Sequence, residues 1–135
     1  MAESRSEPIE LRRADSGYDL WPAVEAAQYA RLVEHVEPHN GNEAGRIEEF
    51  VDCFSDCSER WEERSSPDQA IALEQLSHRV VALEELGLSV YWAVMERSFD
   101  TADGGRVDMP IAVLAISRDD RPSIVAELPT AVTVE

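Results

Sequence analysis

Apolar residues recur at helical spacing through most of the first two thirds of the chain, then give way to long runs rich in β-branched and aromatic residues. Val24, Ala27, Leu32 and Val36 make one face of a first predicted helix, from near Asp19 to Pro38. Trp21 and Tyr29 flank that face, and Pro22 suits a first helical turn, where its missing N–H costs nothing. Ile47, Phe50, Val51, Phe54, Cys57 and Trp61 predict a second helix, from about Asn42 to Arg64. Ile71, Leu73, Leu76, Val80, Leu83 and Leu86 predict a third, opened by Ser66 and Pro67 and closed at Gly87.

From Leu88 the period changes. Leu88–Phe99 and Val107–Ser117 read as two strands joined by the glycine-containing loop Asp100–Arg106. Pro110 predicts an irregular or edge-facing start to the second of them. The segment 118–122 reads as a turn, Ile124–Leu128 as a third strand, and 131–134 as a further edge pairing. Ile9 and Leu11 alternate with Glu10 and Arg12, the pattern of a short edge strand.

Helices followed by strands predict an α+β fold of three N-terminal helices and a three-stranded antiparallel β-meander. The 135 residues fit one domain, with 1–8 a disordered polar tail, 18–87 helical and 88–134 β. Both predicted long strands are apolar on both faces, since Val90, Trp92 and Val94 alternate with Tyr91, Ala93 and Met95. One helical layer covers one face of a sheet. The second face therefore needs a cover of its own, from this chain, a second copy, another protein or a small apolar ligand.

Charge narrows the partners. Twenty-eight acidic residues against 12 basic ones give a net charge of −16, and every basic residue is Arg. So negative a chain repels nucleic-acid phosphate and anionic membrane surfaces and attracts basic proteins. The expectation is no nucleic acid and no membrane. No apolar run is long enough for a membrane helix, and the N-terminus lacks the apolar core of a signal peptide. Two cysteines without an export signal point to a reducing, cytoplasmic location.

Four residues carry the strongest chemical pattern, His35 and His39 followed by Cys53 and Cys57. Pairs four apart on neighbouring helices could supply four zinc ligands. Against this, Pro38 separates the histidines, and Cys57 sits in an apolar stripe where cysteine packs as a small hydrophobe. Glu48, Asp52, Asp56 and Glu59 line one helix side but lack the Glu-x-x-His of a di-iron site. Asp100, Asp103 and Asp108 lack the ligand spacing of a calcium loop. No nucleophile elbow, phosphate loop or dinucleotide fingerprint occurs.

No cofactor is implied, and the balance leans away from an enzyme. The expected function is that of a small acidic accessory or regulatory protein, of inhibitor, antitoxin or immunity type. It would act by homodimerisation or by docking a basic protein through its sheet. Tyr91, Trp92, Met95, Leu114 and Ile116 are the candidate contact residues. The alternatives are a small-molecule site between helices and sheet, with His78, Glu96 and Arg97 as pocket candidates, and a structural zinc site on the His/Cys pairs.

Overall fold

The computed structural model describes residues 7–118 and 124–126. In chain order the elements are β1 (Glu7–Ile9), β2 (Arg12–Ala14), a 3-10 turn (Gly17–Leu20), α1 (Trp21–Ala27), β3 (Arg31–His35) and α2 (Gly41–Ser58). A second 3-10 turn (Trp61–Glu63), α3 (Ser66–Glu84), β4 (Ser89–Asp100), β5 (Arg106–Ser117) and β6 (Ile124–Ala126) follow. The chain is α+β, but helices and strands alternate, which overturns the expected order of three helices followed by a three-stranded meander. Four strands form a mixed sheet in the order β2-β4-β5-β3, and β1 pairs with β6 in a separate ladder.

The correction begins in the first predicted helix. Its first half forms the 3-10 turn and α1, but its second half is β3. β3 lies parallel to β5, with Arg31 opposite Ala112 and His35 opposite Ile116. The Ala112 N–H donates to the Ala30 carbonyl at 3.0 Å and begins this ladder. A parallel partner must come from far along the sequence, so no local spacing announces it. The predicted third strand is likewise corrected: Ile124–Ala126 joins β1 rather than a meander, with Ile9 opposite Ile124. The expected turn at 119–122 and the edge pairing at 131–134 lie outside the described residues.

β2 and β5 are both antiparallel to β4, and β3 is parallel to β5. β2 and β3 therefore run the same way on opposite edges of the sheet. The β4–β5 hairpin fills the space between them. Its paired length, Ser89–Asp100 against Arg106–Ser117, far exceeds that of its neighbours. β2 covers only Val90–Trp92 of β4, and β3 only Ala112–Ile116 of β5. From Met95 to Ile111 the hairpin therefore extends beyond both neighbours as a two-stranded arm. Pro110 falls where β5 has no neighbour on its β3 side, so its missing N–H breaks no ladder bond.

All three helices pack on one face of the sheet. Leu20, Val24, Phe50, Phe54, Trp61, Leu76, Val80 and Leu83 join Val90, Ala112, Leu114 and Ile116 in one buried cluster. On the other face Tyr91, Val113 and Ala115 form a second buried cluster, with Leu11, Leu32, Ala93 and Met95 around it and, among the described residues, no helical residue in it.

Helix ends follow from local chemistry. The Asn40 side chain accepts the Glu43 N–H at 3.0 Å, and Ser65, one residue before the expected cap, accepts the Asp68 N–H at 3.3 Å. α3 closes as anticipated around Gly87, at φ +82°. The Leu88 N–H reaches the Leu83 carbonyl and the Gly87 N–H the Glu84 carbonyl, at 3.0 and 2.9 Å, a Schellman closure. α2 ends at Ser58, short of the expected Arg64, and Arg60 takes a left-handed conformation at φ +54°.

Candidate functional site

Several open clefts lie among the described elements. One, about 630 Å³, separates α1 from the β4–β5 arm. It lies where the arm begins to outrun β2 and β3, with Val94, Met109 and Pro110 on its strand side. Pro22, Ala26 and Tyr29 of α1 and its C-terminal turn form the facing wall. Tyr29 and Val94 are 49% and 40% exposed, and Trp21, stacked edge-on against buried Trp61 at 6.4 Å, is 50% exposed at the start of α1.

The charged groups described in this groove share one sign. Glu25, Glu62 and Asp108 line it, and among the described residues no Arg or His does. The Tyr29 hydroxyl donates to Glu62 Oε1 at 2.9 Å. That bond, with the nearby carboxylates, raises the tyrosine pKa above its usual value. Asp108 accepts from the Ser98 hydroxyl across the hairpin, where the two residues are directly paired.

A second cleft, about 400 Å³, lies between α2 and α3 and holds both cysteines with Glu49, Asp52, Asp56, Arg64 and Arg79. A third, about 560 Å³, lies on the other flank of α2 against β3 and holds His35 with Glu48 and Asp52. The two predicted ligand pairs thus open on different flanks of one helix. His35 is on a strand rather than a helix, with its ring nitrogen 3.2 Å from the Val36 carbonyl, and His39 is exposed before α2. Among the described residues no three His, Cys, Asp or Glu side chains converge as a metal site.

The other candidates separate as well. Leu114 and Ile116 are buried under the helices, and Tyr91 is buried in the opposite cluster. Met95 is half-buried beside Tyr91. Trp92 is half-buried on the helical side, and the Arg12 guanidinium sits 5.8 Å from its ring centroid, opposite it in the β2–β4 ladder. His78 and Glu96 are exposed and line none of the three clefts, and the Arg97 side chain lies outside the described residues. Sequence reading missed Tyr29, Glu62 and Met109 as neighbours, because the groove joins three segments that only the fold brings together.

Among the described residues no helix is long and apolar enough to cross a membrane. Comparison of the chain with protein-family models, curated proteins and solved structures returns no significant match, so the site is read from its own geometry.

Proposed function

We propose that this chain acts by binding another protein, and that the groove between α1 and the β4–β5 arm receives a basic segment carrying an apolar anchor. The observation that carries this is the pairing of exposed Tyr29 and Val94 with a charged lining that, among the described residues, is wholly acidic. Exposed aromatic and aliphatic side chains grouped around a cleft are the usual anchors of protein recognition. Glu25, Glu62 and Asp108 select the sign of the partner, and the net charge of −16 steers it. A second copy would bring the same charge to the same groove, so a heterologous partner is favoured over a homodimer. This keeps the class of accessory or inhibitor protein read from the sequence and moves its contact surface from the sheet face to the groove.

The test is selection from a random peptide library displayed against the purified chain. Enriched peptides should combine Arg or Lys with an aliphatic or aromatic residue, weaken with salt, and lose binding to Val94→Asp. Selection of acidic or uncharged peptides, or binding indifferent to Val94→Asp, would overturn the reading. So would light scattering that shows a dimer dissolved by the same substitution, because the groove would then belong to a second copy.

A further inference from the structure

Cys53 and Cys57 sit one turn apart on the flank of α2 that faces α3. Cys57 is buried and its thiol lies 3.4 Å from the Ala72 carbonyl of α3. Cys53 is half-buried at the wall of the open α2–α3 cleft. The charged groups facing the pair are Glu49, Asp52 and Asp56 of α2, Arg64 beyond its end and Arg79 of α3. Arg79 also meets Glu49 at 3.4 Å. Arg64 holds the Asp56 carbonyl at 2.6 Å through Nη2, while its Nε is buried with no hydrogen-bond partner.

We infer that Cys53 and Cys57 form an oxidisable dithiol for small polar hydroperoxides, with Cys53 the attacking thiol and Cys57 the resolving one. The Cys53 thiolate attacks the distal peroxide oxygen. The O–O bond breaks, Cys53 becomes a sulfenic acid, and the peroxide leaves as an alcohol or water after taking a proton from solvent. The Cys57 sulfur then attacks the Cys53 sulfur. An S–S bond forms, the S–O bond breaks, and the hydroxide leaves as water with the Cys57 proton. Two thiols lose two electrons, and the peroxide gains them.

The arrangement favours that division of roles. Cys53 is the more accessible sulfur and has Arg79 beside it. The Cys57 thiol has one hydrogen and two acceptors, the Ala72 carbonyl and the Cys53 sulfur. Donation to Cys53, reinforced by Arg79, holds the Cys53 thiol down at about 7 against burial, while the same contact pushes Cys57 up. A thiolate that is partly accessible and next to a second thiol is the pattern of redox-responsive cysteines. On a regular helix, residues four apart hold their Cβ atoms about 5–6 Å apart, more than the roughly 3.5–4.5 Å a disulfide spans. Cys57 lies in the last turn of α2, three residues before the left-handed Arg60, so closing the gap requires only that terminal turn to unwind and not the body of the helix.

The test is intact-mass analysis of the full chain after a slight excess of hydrogen peroxide. Wild type should lose two hydrogens and both titratable thiols while remaining a monomer. Cys57→Ser should stop at one added oxygen, trapped by dimedone. Cys53→Ser should react no faster than free cysteine. Circular dichroism checks that each variant folds, and Arg79→Gln, which leaves both sulfurs in place, should slow the wild-type reaction several-fold. Oxidation of wild type no faster than free cysteine, or only into intermolecular disulfides, would overturn the inference.

Discussion

The backbone N–H of Gly17 donates to the Ser77 hydroxyl at 2.6 Å, which seats the turn after β2 directly on the middle of α3. A Cβ at Gly17 would lie 2.2 Å from the Leu73 carbonyl oxygen and 2.5 Å from the Ser77 nitrogen. Both are backbone atoms in the middle of a helix, so neither can yield cheaply. The Ser77 hydroxyl relays the contact by donating to the Leu73 carbonyl at 3.0 Å. Gly17→Ala should cost about 2–4 kcal/mol by forcing the two backbones apart and stretching this bond. Ser77→Ala should cost less, about 1–3 kcal/mol, the penalty of one unsatisfied amide. Urea unfolding of both variants checks the order, and an unchanged midpoint for Gly17→Ala would refute the close approach.

The same contact explains how far the sequence could be read. Glycine stops and the hairpin loop are local, and Gly87 and Asp100–Arg106 announce them at short range, while Asn40, expected in a turn before a helix starting at Asn42, proves to be its cap. β3 is different. Leu32 and Val36 continue the spacing of Val24 and Ala27, so the pattern alone extends the helix through them. The strand is decided by β5, a partner far along the chain. The Cys53–Cys57 spacing was visible, but Arg79 joins it only through the packing of α2 on α3. The two-faced apolar strands correctly signalled two buried faces, but not that Leu11 and Leu32, rather than helices, surround the second.

Acid should loosen the start of α2. Glu43 accepts the His39 N–H at 2.9 Å and pairs with Arg118, which also reaches the Glu37 carbonyl at 3.3 Å. The His39 amide, followed by Arg118, holds the Glu43 carboxyl below its ordinary 4.5 despite the opposing effect of burial. A depressed carboxyl contributes stability that is complete above the unfolded-state value and is lost as pH falls through the folded one. Glu43→Gln should therefore melt earlier than wild type near neutral pH. The difference should close as pH drops below about 4. Melting curves across that range decide it: a gap that persists in acid would mean the carboxylate charge is irrelevant.

The Tyr29–Glu62 bond gives the acidic groove a direct spectroscopic handle. The Tyr29 hydroxyl ionises late because it donates to the Glu62 carboxylate. In Glu62→Gln the tyrosine should titrate closer to its ordinary 10.0, read by NMR of the labelled ring carbon. Tyr29→Phe keeps the ring in the groove and removes the bond. In the peptide experiment it should preserve apolar anchoring, whereas Glu62→Gln should weaken capture of basic peptides and flatten its salt dependence. Equal binding by wild type and a combined Glu25→Gln, Glu62→Gln variant would remove electrostatics from the recognition.

One substitution should strengthen the fold. Arg60 is exposed and carries its backbone at φ +54° and ψ +37°, the only non-glycine residue with positive φ among the described residues. An L side chain there costs about 1–2 kcal/mol through Cβ crowding. Glycine removes that cost but loses roughly 0.5–1 kcal/mol of unfolded-chain entropy relative to a residue with a side chain. Arg60→Gly should therefore raise stability by about 0.5–1 kcal/mol. Gly87→Ala, at φ +82° with open space around it, isolates the same effect in reverse and should cost about 1–2 kcal/mol. Denaturant midpoints at constant slope measure both. If Gly87→Ala loses stability as expected but Arg60→Gly does too, the Arg60 side chain must hold the α2–α3 connection by contacts that outweigh its backbone strain.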